Sequence, residues 1–140
     1  MSSILCATRG GEASYHTQDK AIELAKELDH KLLFLYVVDL HFLDKTAAPV
    51  VVDIEVEVKE MGEFLLLMAK ERAAKQGIDA ETVCRKGSAR EEIIKIAHQE
   101  DIELVVLGKP AGDTSTFRLD DLKNFAAEVE RETGTKTVIV

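Results

Sequence analysis

The chain has few residues that can form covalent or metal cross-links. Among its 140 residues are two cysteines, four histidines and no tryptophan. Cys6 and Cys84 lie in separate strand-like runs without metal-ligand spacing, and no two histidines stand four residues apart. We therefore predict buried free thiols and no metal site. A chain of this length buries roughly 70% of its unfolded surface, so its core can stabilise it without cross-links.

An excess of positive charge is also missing. Asp and Glu number 26 against 18 Lys and Arg, which gives a net charge of −8. This balance argues against nucleic acids and anionic membranes as partners. The sequence has no run of 18 apolar residues and no basic segment before its first apolar run. We expect one cytoplasmic domain over residues 1–140.

Strand-like and helix-like patterns alternate along the chain. Short apolar runs, typical of strands buried on both faces, alternate with segments whose apolar residues recur at helical spacing. The predicted strands span residues 3–8, 32–38, 80–85, 104–107 and 137–140. Polar and apolar residues alternate over 80–85, which is expected of an edge strand. Repeated strand–helix units predict an α/β three-layer sandwich, with a five-stranded parallel sheet and helices on both faces.

The segment before the third strand fits two periods. Residues 52–58 alternate apolar and acidic side chains as a strand does, but apolar residues from Ile54 to Met68 also recur at helical spacing. We predict a helix over residues 52–76, because Gly77 can end it and the later part has no strand pattern. Residues 46–49, which include Pro49, are predicted to form a loop.

Ligands of parallel sheets bind at the carboxyl ends of the strands. The segments that follow the first and fourth strands, residues 8–12 and 108–117, are therefore the places to look for a site.

The sequence resembles the universal stress protein family from Ile4 to Val140. The resemblance rests on four short pieces in the same order as in the family. They are Ile4-Leu5 with Gly10-Gly11-Glu12-Ala13-Ser14, then Leu35-Tyr36-Val37-Val38-Asp39, Gly87-Ser88-Ala89-Arg90-Glu91-Glu92-Ile93 and Ile102-Glu103-Leu104-Val105-Val106-Leu107-Gly108. The resemblance implies a Rossmann-like fold related to adenine nucleotide hydrolases.

The resemblance also implies where a nucleotide would bind. Family members that bind ATP carry Gly-x2-Gly-x9-Gly-(Ser/Thr) after the fourth strand, where backbone N–H groups and a hydroxyl hold the phosphates. In this chain Gly108 fits, but Gly112 comes one residue late and Pro110 removes an N–H. Counting back from the last strand places Asn124-Phe125 at the final pair, and counting forward from Gly112 gives Leu122-Lys123. Neither count gives the glycine and hydroxyl residue with which the motif ends.

The opening turn departs from the family as well. Arg9 stands where ATP-binding members usually carry an aspartate near the nucleoside, so an acceptor is replaced by a donor.

Two hypotheses follow. The first is a non-enzymatic, dimeric stress-response factor with a degenerate nucleotide pocket, no cofactor and an unknown protein partner. The alternative is a member that binds ATP or AMP with magnesium through a modified loop. The candidate binding residues are Thr8, Arg9, Val38, Gly108, Lys109, Gly112 and Asn124.

Three basic residues near the same edge, Arg9, Lys109 and Arg118, have two interpretations. They converge to hold an anion, or they are solvated and paired with nearby aspartates; we favour the second.

Other phosphate-handling and catalytic sites are excluded by single residues. A P-loop around Lys109 would need glycine at Glu103 and a hydroxyl at Pro110. A response-regulator receiver would need an acidic pair after the first strand, and residues 8–10 contain none. A nucleophile elbow is absent, and no general base can be named.

The last strand predicts a partner. Thr137, Val138, Ile139 and Val140 form an apolar run that we expect at a sheet edge, and unprotected edges invite pairing. In the resembling family this strand forms a two-fold contact, so a homodimer through it is expected. The alternative is that the preceding helix covers the strand and Lys136 protects its end.

Overall fold

Five parallel strands form the centre of the molecule. The computed structural model describes residues 2–8, 12–39, 48–99, 101–108 and 115–140. The elements in chain order are β1 (Ser3–Ala7), α1 (Glu12–Leu28), β2 (Lys31–Val38), α2 (Ala48–Lys75), β3 (Glu81–Lys86), α3 (Ala89–Gln99), β4 (Ile102–Leu107), α4 (Ser115–Thr133) and β5 (Lys136–Ile139). The strand order is β3-β2-β1-β4-β5, and all pairs are parallel. The predicted fold class is confirmed.

Each face of the sheet has its own apolar core. Successive side chains of a strand point to opposite faces, so in β1 Ile4 and Cys6 join α1 and α2 while Leu5 joins α3 and α4. All three side chains are fully buried. This two-sided burial explains why the central strands read as continuous apolar runs.

Helix α2 begins earlier than the sequence pattern predicts. It starts at Ala48, so the prediction of a loop over residues 46–49 is wrong for Ala48 and Pro49, and the rest of that loop lies outside the described residues. Proline is accepted in a first helical turn, where its missing N–H would have no helical acceptor. Residues 52–58 are helical, and Gly77, at φ +83°, follows the helix end as predicted.

The two edge strands are β3 and β5, as expected. Cys84 on β3 is half-buried, which corrects the prediction that both thiols are buried; both are free, and Cys6 is buried. On β5, the N–H of Thr137 donates to Oε1 of Glu130 over 3.0 Å. A side chain of α4 thus occupies one donor near this edge.

A glycine sets how closely α2 approaches the sheet. A Cβ atom added to Gly62 would lie 2.4 Å from Cδ1 of Tyr36 on β2. Real Cβ atoms do not approach a ring so closely, and the ring is held between helix and sheet. Gly62 therefore lets the helix backbone lie directly on the tyrosine.

Replacing Gly62 by alanine separates packing from helix propensity. Propensity alone predicts that Gly62→Ala stabilises the protein by about 1 kcal/mol. The contact with Tyr36 predicts the opposite sign, a loss of ~1–3 kcal/mol in the free energy of unfolding, because helix or ring must shift. Urea denaturation measures it, with the neighbouring exposed Glu63→Ala as a control that changes stability little. A stabilised Gly62→Ala variant would contradict the packing argument.

The Cys6 thiol predicts a pH dependence. Burial raises the pKa of Cys6 from 9.0 to about 12, so the folded protein keeps the thiol neutral where the unfolded chain ionises it. Stability from this group is complete below pH 9 and falls as the pH rises towards 12, by up to ~1.4 kcal/mol per pH unit. Between pH 8 and 11 the free energy of unfolding, measured by chemical denaturation at each pH, should therefore fall less steeply for Cys6→Ala than for the unchanged chain. An equal pH dependence of the free energy of unfolding in the two chains would refute the assignment of this effect to Cys6.

Candidate functional site

A cavity of about 780 Å³ lies at the carboxyl ends of three strands. Its walls come from the ends of β1, β2 and β4, the first turns of α3, the middle of α4 and Val58 of α2. This is the position at which ligands bind in open parallel sheets, and the volume is within the range of small-molecule sites. The cavity is the candidate functional site of the molecule.

Thr8 lines this cavity directly after β1. Its hydroxyl oxygen accepts a hydrogen bond of 2.9 Å from Nε2 of Gln18 on α1, and both residues are buried. Because the oxygen accepts from Gln18, the hydroxyl proton remains able to donate to another group. Oε1 of Gln18 has no hydrogen-bond partner among the described residues, which makes this a costly polar position in an apolar layer.

Gly108 lines the cavity at the end of β4. A Cβ atom at this position would lie 2.5 Å from Oγ1 of Thr17, which is buried on α1. The glycine is thus required by the close approach of α1 to β4. Its presence has a packing reason, independent of any phosphate.

A cation is held at the mouth of the cavity. Arg90, in the first turn of α3, places its guanidinium carbon 5.3 Å from the ring centroid of Phe125. Nη2 of Arg90 also lies 3.3 Å from Oε2 of Glu128. Both partners belong to α4, and Phe125 is only 7% exposed. The contacts orient a positive charge where the first turn of α3 also presents backbone N–H groups.

Only some of the predicted binding residues that the structure describes line the cavity. Thr8 and Gly108 line the cavity together, whereas Val38 and Asn124 do not. Val38 is buried, and its carbonyl accepts the N–H of Gly87 over 3.0 Å, which ties β2 to the turn before α3. Asn124 is exposed on α4.

Three more predicted binding residues lie outside the described residues. These are Arg9, Lys109 and Gly112, and the side chain of Arg118 lies outside them as well.

Sequence reasoning missed two contributors. Arg90 appeared only as one residue of a family-like stretch, and nothing local marks it as the partner of α4. Gln18 had a usable signal, because it precedes Ala21 and Ile22 by three and four residues and so lies on the buried stripe of α1. A glutamine on such a stripe requires a hydrogen-bond partner, and Thr8 supplies it.

A second groove, of about 630 Å³, lies between α1 and α2. Its side chains carry both signs of charge, and Arg72 is engaged by Asp19 at 2.6 Å and by the ring of Tyr15 at 4.5 Å. Because Arg72 is already paired within this groove, and because parallel sheets bind ligands at their strand ends, the cavity there remains the candidate site.

Comparison with known proteins identifies the family. The sequence model of the universal stress protein family matches residues 1–132. The chain belongs to the universal stress protein family. Universal stress protein YxiE of Bacillus subtilis is 32% identical over 123 residues, with 76% of this chain and 78% of that protein covered. The predicted membership is confirmed.

Solved structures agree on the fold. Universal stress protein UspA from Lactobacillus plantarum superimposes with a TM-score of 0.78 at 20% identity, covering 99% of this chain and 97% of the other. A universal stress protein in complex with cAMP superimposes with a TM-score of 0.71 at 22% identity, covering 99% and 96%. At these identities the likeness establishes the universal stress protein fold alone.

The described residues form neither a cluster of metal ligands nor a membrane-spanning helix. Over residues 2–8, 12–39, 48–99, 101–108 and 115–140, no three His, Cys, Asp or Glu side chains are grouped as metal ligands. Within the same ranges no helix is long and apolar enough to cross a bilayer.

The close contact of Gly108 with α1 gives a testable pair of substitutions. Gly108→Ala should destabilise the protein by ~1–3 kcal/mol, because the new methyl group meets the Thr17 hydroxyl. Combining it with Thr17→Ala removes the obstructing atom and should recover much of the loss. Chemical denaturation of both single variants and the double variant measures the coupling. Strictly additive effects would show that the two positions do not obstruct each other.

Proposed function

We propose that the chain is a non-enzymatic universal stress protein that acts through contacts with other protein chains, and that its cavity has lost the cradle for a triphosphate. The observation that carries the proposal is the buried ring of Phe125 in the cavity wall, covered by the Arg90 guanidinium. By the count back from the last strand, the glycine and hydroxyl residue of the resembling ATP-binding members correspond to Asn124-Phe125. A phenyl ring donates no hydrogen bond to phosphate.

The charge of the cavity supports the same proposal. Asp39 and Asp121, both exposed, line it together with Arg90. The Arg90 charge is already shared with Glu128. A triphosphate carries several negative charges; among the described lining residues Arg90 is the single cation that could oppose them, and the Asp121 carboxylate repels them.

A smaller nucleotide is the second candidate. The cavity volume, the Thr8 hydroxyl and the Arg90 guanidinium would accommodate one adenine nucleoside monophosphate better than ATP. A structurally similar universal stress protein is described in complex with cAMP. In this alternative Arg90 pairs with the single phosphate and Thr8 donates its hydroxyl proton to the ligand.

Thermal denaturation with AMP, cAMP, ADP and ATP, each with magnesium, tests both candidates. The main proposal predicts no shift of Tm with millimolar ATP and no release of phosphate. Under the second candidate, AMP or cAMP at about 100 times its Kd adds about 2.7 kcal/mol, a rise of roughly 5–10 °C. Arg90→Gln should then abolish the shift, whereas Arg85→Gln, an exposed arginine outside the cavity, should not. A saturable ATP shift larger than that of AMP would contradict the lost cradle.

The homodimer through Thr137–Val140 stays a prediction. In its support, β5 is an edge strand. Against easy pairing, Glu130 already accepts the N–H of Thr137. A strand contact would have to displace this bond or use the part of the strand beyond it.

A further inference from the structure

The strand β3 ends the sheet on one side and has a single neighbouring strand. It pairs in parallel with β2, and its other side is the open edge of the sheet. Four of its six side chains are exposed and the other two are half-buried, so solvent reaches the strand along its whole length. Such an edge offers a row of N–H and C=O groups to another strand.

The backbone hydrogen bonds show which residues of β3 face outward. The N–H of Gly87 donates to the carbonyl of Val38 over 3.0 Å, so Gly87 directs its backbone groups towards β2. Successive residues of a strand turn these groups to opposite sides. The odd-numbered residues of β3 therefore bond to β2, and the N–H and C=O groups of Thr82, Cys84 and Lys86 point to the open edge.

The charges along this edge have opposite signs at its two ends. Glu81 begins the strand, and Arg85 follows four residues later on the same face of the sheet. Both side chains are exposed, and within the described part of the chain neither has an ion-pair partner. An edge that carries charges of one sign repels a second copy in either direction. On β3, like charges meet only in a parallel pair, whereas an antiparallel pair brings opposite charges together.

We propose that β3 pairs with β3 of a second copy of this chain, antiparallel about a two-fold axis, so that one sheet runs through both molecules. The outward backbone groups and the opposite charges meet together when Val83 lies on the axis. Thr82 then forms a hydrogen-bonded pair with Cys84 of the partner subunit, and each such pair exchanges two main-chain bonds. Glu81 lies opposite Arg85 of the partner subunit in a non-hydrogen-bonded pair, where side chains are closest. The two-fold axis makes each of these contacts twice.

The rest of the edge permits this approach. On the face covered by α2, Lys59 and Glu63 act on Cys84 with opposite charges, so that part of the edge has no excess of one sign. Helix α2 packs over both β2 and β3. With strands ~4.8 Å apart, the two α2 helices would lie ~10 Å from each other, which is an ordinary distance between neighbouring helices. The helices therefore do not block the pair.

This contact is separate from the homodimer predicted for β5. The strand β5 lies at the opposite end of the sheet, so the use of one edge leaves the other available, and a chain that used both would assemble beyond a dimer. A strand of another protein would also find open backbone groups on β3. A second copy in addition carries the complementary charges in the required register.

Sedimentation equilibrium of the full chain, with one edge blocked at a time, tests the proposal. Ile139→Pro removes an outward N–H from β5, because Val140 directs its own N–H inward to Leu107. Thr82→Pro removes an outward N–H from β3 in the same way. The Ile139→Pro chain should still dimerise between micromolar and millimolar concentration, and adding Thr82→Pro should weaken that dimer tenfold or more. A folded Ile139→Pro chain, verified by circular dichroism, that stays monomeric throughout would overturn the proposal.

Exchange of the two charges tests the pair without changing the backbone. Glu81→Arg or Arg85→Glu alone sets like charges opposite each other and should weaken the dimer several-fold. The two changes together restore opposite charges and should recover most of the dimer constant. Glu27→Arg, on exposed α1, changes the net charge as Glu81→Arg does and should leave the constant unchanged. Single variants that weaken the dimer with no recovery in the double variant would refute the ion pairs.

The native Cys84 distinguishes the register. In the proposed pair it opposes Thr82 of the partner subunit, so Thr82→Cys should form an intermolecular disulfide between positions 82 and 84 on mild oxidation. A register shifted to place Cys84 on the axis would bring two copies of this residue within ~5.5 Å between Cα atoms, which is disulfide distance. A rapid cross-link between the two Cys84 residues in the unchanged chain would overturn the proposed register and its ion pairs.

Discussion

The structure depends on the burial of β1 and β4 between two layers of helix. These neighbouring strands are apolar on both faces, and their side chains enter both cores. Burying a strand on both faces requires helices on both, and parallel strands supply them through their crossover connections. The pairing of β1 with β2 and β4 then brings three strand ends to one edge, where the cavity lies.

The same packing places polar groups where they are costly. Thr17 and Gln18 are buried on α1 under the ends of β1 and β4, and one contacts Gly108 while the other bonds Thr8. In the apolar layer each such group needs a partner. Specific contacts as well as apolar burial therefore hold α1 against the strand ends that line the cavity.

Two features of the described structure bear on the proposed function, the cavity at the strand ends and an exposed apolar face of α2. The cavity wall holds the Arg90 guanidinium over the ring of Phe125. On that face of α2, Val56, Met61, Phe64 and Leu67 are 51–62% exposed. The proposed loss of the triphosphate cradle, together with this exposed apolar surface, agrees with the proposed role in protein–protein contacts.

Local patterns by themselves determined the order of strands and helices, the parallel sheet and the edge position of β3. Each of these depends on residue periodicity and on turn residues such as Gly77, which act within a few positions of the chain. The rule that ligands of parallel sheets bind at strand ends directed attention to the segments after the first and fourth strands, and there Thr8 and Gly108 line the cavity.

Only the tertiary structure decided the contents of the site and the role of the glycines. Arg90 meets Phe125 and Glu128 because α3 and α4 pack side by side, which no local pattern encodes. Gly62 is required by a ring on a distant strand, not by its own helix. Periodicity shows that α2 is apolar, but which of its faces remains uncovered depends on how far the sheet reaches across it.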